Sequence, residues 1–475
     1  MVASMGSVAG TRLISEREMT AGREFCFGKG VVDLKPYTFD PDAVPNSHIL
    51  VAGKSQSGKT RTTKKLIEYY GKEKDGYRKS VYVLDFSGDM DVPNENVISI
   101  LARKSKYGIS LFEFSKDHES GGIRVARDNI IRMIDRYFMN SGMGTVQKAV
   151  LERLITDTYA LKGIYEVDES SWNNDLPIID DMLNLMVDIR ESIEMAFDVS
   201  LQAQIRKDTE RIRSLNNRIS VADNDTKIKK LQEDRDMLKD ILLENINKYV
   251  EWRIVGEQLG REKPRLQGVD EVKADVSFYS ETNAFNALRD LRIHIEKIVE
   301  SRAFSASRPP VINGINRFDL SKLSVPLQKL FTDILIMRIY LKVRERGKYS
   351  EFSGRVPGYK IDTVVVIDEA KLVIPMNKKD REARDEPINL IVSQSLKFGM
   401  AIVLASQRLD HFSQEILSNV HTKLIFEMGV NDYGSAKSIL GIKENDTSFT
   451  RKFGVGLLFS GSNPAIPIAL PWAKL

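Results

Sequence analysis

Eight consecutive residues, Gly53-Lys-Ser-Gln-Ser-Gly58-Lys59-Thr60, satisfy the pattern G-x-x-x-x-G-K-[ST] at every fixed position. Each fixed type has a task in holding phosphate. The glycines let the backbone wrap an anion with N–H groups turned inward, and the first turn of a following helix adds positive potential. Lys59 brings a charge to β- and γ-phosphates, and Thr60 brings a hydroxyl to Mg²⁺. Together with Lys54, Ser55, Gln56, Ser57 and Arg61, these residues form the expected nucleotide-binding set, with ATP and Mg²⁺ as the expected ligands.

A second group supplies acid chemistry. The run Thr363-Val-Val-Val-Ile-Asp-Glu-Ala370 ends an apolar stretch in two adjacent carboxylates. A strand there puts Asp368 at the sheet's C-terminal edge as a metal ligand and sets Glu369 to polarise an attacking water. Gln407, just beyond the apolar run Met400 to Ala405, is placed to touch the γ-phosphate or that water. Asp85 and Asp89 either face the same crevice or close a local turn. Phosphoryl transfer also draws on a positive charge, often from a neighbouring subunit, and Arg408, Lys437 and Arg451 are the candidates. The five histidines, His411 and His421 among them, show no metal-ligand spacing.

The elements needed to position these groups are legible. Ser47 to Gly53 reads as a buried strand, and Lys59 to Tyr70 as the helix after the phosphate loop. Further strands are expected at Ser80 to Phe86, Thr363 to Ile367, Met400 to Ala405, Lys423 to Met428 and Gly456 to Phe459. Val- and Ile-rich strands separated by helices predict an α/β fold with a mostly parallel sheet covered on both faces. Between the two halves the pattern turns helical and polar. Apolar residues at Leu201, Ile205, Ile212, Leu215 and Ile219, a turn at 222–226, then Ile228, Leu231, Leu238 and Leu242 predict an antiparallel coiled-coil hairpin over about 198–253. That hairpin is either a solvated spacer or an arm that meets a protein partner. The expected division is an N-terminal extension over 1–30, a first half of the core over 31–120, a helical insertion over 121–300, and a second half over 301–475.

Composition bounds the remainder. With 475 residues, 42% of them hydrophobic, the chain exceeds what one core usually supports. Its 70 basic and 66 acidic residues leave a formal charge of only +4, so bulk charge does not select a nucleic-acid partner. The single Cys26 excludes an internal disulfide and a cysteine-based zinc site. No run approaches the ~18 apolar residues of a membrane span, and no apolar signal core opens the chain, which makes a cytoplasmic protein the expectation.

The ordered pieces resemble the HerA/FtsK class of ring-forming DNA-pumping ATPases, most of all its HerA branch and the related conjugation ATPases. They are His48-Ile-Leu-Val-Ala-Gly-Lys-Ser-Gln-Ser-Gly-Lys-Thr60, Val83-Leu-Asp-Phe-Ser-Gly-Asp89, Phe318-Asp-Leu-Ser321, Val366-Ile-Asp-Glu-Ala370, Phe398 to Arg408, and Glu415 to Lys423. The resemblance implies a RecA-like motor that assembles as a homo-hexamer and translocates double-stranded DNA. It gives Gln407 the sensor role and sets Lys437 near the family's trans-acting arginine. Where the family places an arginine before the Lys-Phe-Gly element, this chain has Ser395-Leu396-Lys397, so a cis-acting arginine would come from Arg381 or Arg384. Two other readings stay open. One is a motor of the same fold for DNA transfer or packaging, docking a membrane or portal partner; the other is a nucleotide-dependent scaffold or switch.

Overall fold

The computed structural model describes residues 24–117, 121–137, 142–258, 278–279, 281–305, 307–375, 378–382, 386–429, 432–442, 448, 450–461 and 463–473. Residues 1–23 of the expected N-terminal extension and Arg384 lie outside them. In chain order the elements are β1 (Phe25–Gly30), β2 (Pro36–Phe39), β3 (Ile49–Ala52), α1 (Lys59–Gly71), β4 (Ser80–Asp85), β5 (Asn96–Ser99), α2 (Gly122–Tyr137), α3 (Thr145–Leu161), α4 (Ile179–Ser220), α5 (Asp225–Gln258), α6 (Thr282–Ser301), β6 (Gly314–Asp319) and α7 (Val325–Glu345). They continue with β7 (Thr363–Ile367), α8 (Lys378–Arg381), α9 (Pro387–Gln394), β8 (Met400–Ser406), α10 (Gln414–Asn419), β9 (Thr422–Ile425), α11 (Tyr433–Leu440), β10 (Val455–Ser460) and β11 (Ile466–Ala469).

The described strands join in one sheet of order β2-β1-β11-β10-β9-β3-β8-β7-β4-β6-β5. From β9 to β5 every neighbouring pair is parallel. The strands β10, β11, β1 and β2 extend the β9 edge in antiparallel fashion. Strands β3, β7 and β8 are buried along their whole length. Continuous apolar strands of this kind need cover on both faces, which a parallel sheet with crossover helices provides. The expected α/β fold with a mostly parallel sheet is therefore the observed one.

Three further details fix the sheet around the site. His48 is fully buried before β3, where its Nδ1 accepts the Ile402 N–H at 3.0 Å and its Nε2 donates to Val392 O at 2.9 Å. Burial pushes its pKa down to about 4, so the ring stays neutral and acts as a strut between β8 and α9. Asp85, fully buried at the end of β4, accepts the N–H groups of Ser87, Gly88 and Met90 at 3.2, 2.7 and 3.1 Å. It also pairs with Arg317 at 2.9 Å, and Arg317 holds Glu95 with a second set of bonds. Asp85 thus closes the local turn, and Arg317 compensates its buried charge.

The chain divides into two compact units: one runs up to Met143 and includes Tyr165–Ile179 and Glu296–Leu475; the other comprises Gly144–Ile164 and Asp180–Ile295. The first unit holds the whole sheet and also α2, which lies inside the range expected for the insertion. The physical reason is a buried ionic cluster: Arg136 of α2 bonds Asp333 of α7 at 2.8 Å and also bonds Glu386, just ahead of α9. In the second unit, Asp157 of α3 is buried and satisfied by Arg153 at 3.0 Å and by the Tyr279 hydroxyl at 2.9 Å. Its long helices α4 and α5 are joined by residues 221–224. Leu201 and Leu231 are buried, and Ile205, Ile212, Leu215, Ile219, Ile228, Leu238 and Leu242 are half-buried among exposed charged neighbours. Each long helix therefore shields one stripe from water.

Candidate active site

The phosphate loop is suspended between two strands. Beyond β3, Gly53 N–H donates to Ser406 O at 3.2 Å and Lys54 N–H to Glu427 O at 2.7 Å, so β8 and the segment just past β9 both anchor its start. The Lys54 ammonium pairs with the Glu427 carboxylate at 2.7 Å. At Gly53, with φ of 153°, a Cβ would come within 2.6 Å of Phe426 Cβ, so only glycine fits. Gly58, with φ of 110°, is bounded by the Trp472 ring, which a Cβ would approach to 2.3 Å. Helix α1 then opens with Lys59, Thr60 and Arg61 and has no acid in its first turn. Positive side chains thus reinforce the helix N-terminus as an anion site. The buried Ser57 Oγ has no hydrogen-bond partner, and Lys59 Nζ donates to Lys54 O at 2.8 Å, closing the loop on itself.

The acidic pair faces this loop. Strand β7 leads directly into Asp368, which is buried and whose N–H donates to Leu84 O at 3.4 Å. Burial pushes its carboxyl up to about 7, aided by the negative charges of Glu369, Asp89 and Asp85. Asp89 and Asp85 thus share the crevice, although Asp85 spends its lone pairs on the turn. Glu369 takes left-handed backbone angles, φ 56° and ψ 49°, a conformation that costs a non-glycine residue about 1 kcal/mol or more. That turn brings its carboxylate to Gln407 Nε2 at 3.0 Å and to Lys371 Nζ at 2.9 Å. Lys59 is near enough for Glu369 and Asp368 to favour its charged form against the burial that lowers its pKa.

Strand order explains the convergence. The strands β3, β8 and β7 are adjacent and parallel, so their C-terminal ends bring the loop, Gln407 and the acids to one edge. Lys371 was not among the residues singled out from the sequence. It lies three residues past Asp368, but in a chain so rich in basic residues spacing alone gave it no distinction. The candidate cations fare differently. Arg408 is engaged within its own chain, by Asp410 at 2.5 Å and Asp432 at 3.1 Å. Lys437 is half-buried in the last turn of α11, and Arg451 is exposed ahead of β10. Arg381, in α8, lies 3.9 Å from Glu382.

A superposition on a solved structure extends over nearly the whole chain. The VirB4 structure of Thermoanaerobacter pseudethanolicus matches over 95% of this chain and 97% of its own, with a TM-score of 0.61 and 14% identity. The chain has the fold of that structure. This agrees with the resemblance read from its motifs. In sequence, the chain is 29% identical over 151 residues to a probable helicase of Methanocaldococcus jannaschii. That match covers 30% of this chain and 28% of the relative. No family model matches the sequence. Among the described residues, no helix is long and apolar enough to cross a membrane.

Proposed function

We propose that the chain is an ATP-driven motor that assembles as a homo-hexameric ring in the cytoplasm and translocates double-stranded DNA. The observation that carries the ATPase part is the convergence of Lys59, Asp368, Glu369 and Gln407 on the ends of three adjacent parallel strands. The DNA part is supported by the motif resemblance and by a partial relative named a probable helicase.

The residues divide the work by chemistry. Backbone N–H groups of Gly53 to Thr60 and the Lys59 ammonium bind the phosphates, and Lys59 exchanges Lys54 O for a phosphate oxygen. A small hard cation suits the donors here, because Thr60 and Asp368 offer oxygen only and Asp368 is surrounded by acids that disfavour its anion. Thr60 and Asp368 would hold Mg²⁺, whose charge would offset that of the phosphates. Glu369 orients and polarises the attacking water, and Gln407, already bonded to it, couples that carboxylate to the end of β8. The shielded stripes of α4 and α5 pair as a coiled-coil arm that presents its charged faces to a protein partner.

Light scattering on the Glu369→Gln variant with ATP tests the assembly. The expected particle is a ring of about six chains, since a closed head-to-tail interface lets each subunit complete its neighbour's site. A particle that stays monomeric at saturating ATP contradicts the ring.

A further inference from the structure

The phosphate loop is bordered by an aromatic cluster that the catalytic account does not use. Trp472, just beyond β11, packs against the core and against Gly58. The Arg61 guanidinium stands 4.9 Å from the centre of its ring. The Phe453 ring centre lies 5.3 Å from it at an interplanar angle of 57°. Phe453 is 61% exposed, so it leaves a large apolar face open to solvent one ring beyond the loop.

The cluster is held in place. The Leu470 N–H donates to Gly454 O at 2.9 Å and the Ala473 N–H to Leu470 O at 2.9 Å, which ties the turn before β10 to the segment after β11. Gly454 has φ of 83°, and a Cβ there would lie 2.7 Å from Ala473 Cβ and 3.0 Å from the Trp472 ring. The two segments therefore meet at backbone distance, and Phe453 and Trp472 have a fixed relation to the sheet edge that carries the loop.

We propose that Phe453, Trp472 and Arg61 bind the purine base of the nucleotide whose phosphates lie on Gly53 to Thr60. This rests on the nucleotide-binding reading above and adds the base to it. A ribose separates triphosphate from base, and the cluster stands beside the loop at the start of α1, where such a base arrives. Aromatic rings and a guanidinium offer π faces to a heteroaromatic ring, and stacking of this kind needs no hydrogen bond to the base edge.

Calorimetric binding of ATP and of inorganic tripolyphosphate, each with Mg²⁺, tests the assignment on the wild type, Phe453→Ala, Trp472→Ala and Trp472→Phe. The wild type binds ATP more tightly than tripolyphosphate, and Phe453→Ala and Trp472→Ala weaken ATP about tenfold each without changing tripolyphosphate. Trp472→Phe restores most of the loss. Phe453 is exposed, so its replacement leaves the fold intact. Equal wild-type affinity for the two ligands, or unchanged ATP affinity in Phe453→Ala, overturns the base site. Equal losses for both ligands in Trp472→Ala, Phe453→Ala being unaffected, reduce Trp472 to a support of the loop and also overturn it. If neither ligand binds the wild type, the phosphate-loop reading itself fails.

Discussion

Glu369→Gln lowers the steady-state rate of ATP hydrolysis by about a hundred- to ten-thousandfold while ATP still binds. The carboxylate is the group placed to take up a water proton, since Asp368 is assigned to Mg²⁺. Gln407 and Lys371 hold Glu369 at 3.0 and 2.9 Å, so its position is fixed before substrate arrives. Glutamine retains the shape and can still accept from Gln407, whereas it cannot serve as a base. The Lys371 pair is partly exposed, so its loss costs ~1 kcal/mol or less and the fold survives. Single-turnover hydrolysis beside equilibrium ATP binding checks this: equal rates in the two proteins remove Glu369 from the chemistry, and lost binding makes it a structural residue.

Lys59→Ala acts one step earlier. It weakens ATP binding roughly tenfold to a hundredfold, the worth of a charge-assisted hydrogen bond, and lowers hydrolysis with it. Without the ammonium, the acidic pair loses a nearby cation with which it interacts favourably. Its bond to Lys54 O also disappears, so the loop loses the contact that holds it closed. Fluorescent-nucleotide titration reads the result directly: wild-type affinity in this variant contradicts the assignment of Lys59 to the phosphates.

How much of this was legible depended on sequence distance. The phosphate loop, β3, β7 and β8 announce themselves through short apolar runs that end in glycine, acid or amide, because a parallel strand buried on both faces must be apolar throughout. Strands β1, β2, β5, β6 and β11 were not expected. β2 begins with Pro36, which is acceptable at the edge of the sheet it occupies, and β1 carries a bulge between Cys26 and Gly28. Distant pairing completes their placement: β1 lies against β11 from the other end of the chain, and β5 against β6. The same holds for the contact of Trp472 with Gly58, which no local pattern encodes. The Glu369–Lys371 pair depends on a left-handed backbone turn at a glutamate, and a residue type that rarely adopts that conformation gives no hint of it. Helix α2 has the same kind of explanation: its amphipathic pattern gives the helix, but only the spatial pairing of Arg136 with Asp333 and Glu386 attaches it to the sheet-bearing unit.

The central claim, that hydrolysis at this site drives movement on DNA, is tested most directly by steady-state ATP hydrolysis with and without long duplex DNA, with Glu369→Gln as the control. Duplex DNA is expected to raise the wild-type rate, and the variant to hydrolyse little in either condition. A wild-type rate that is the same with and without duplex DNA contradicts it.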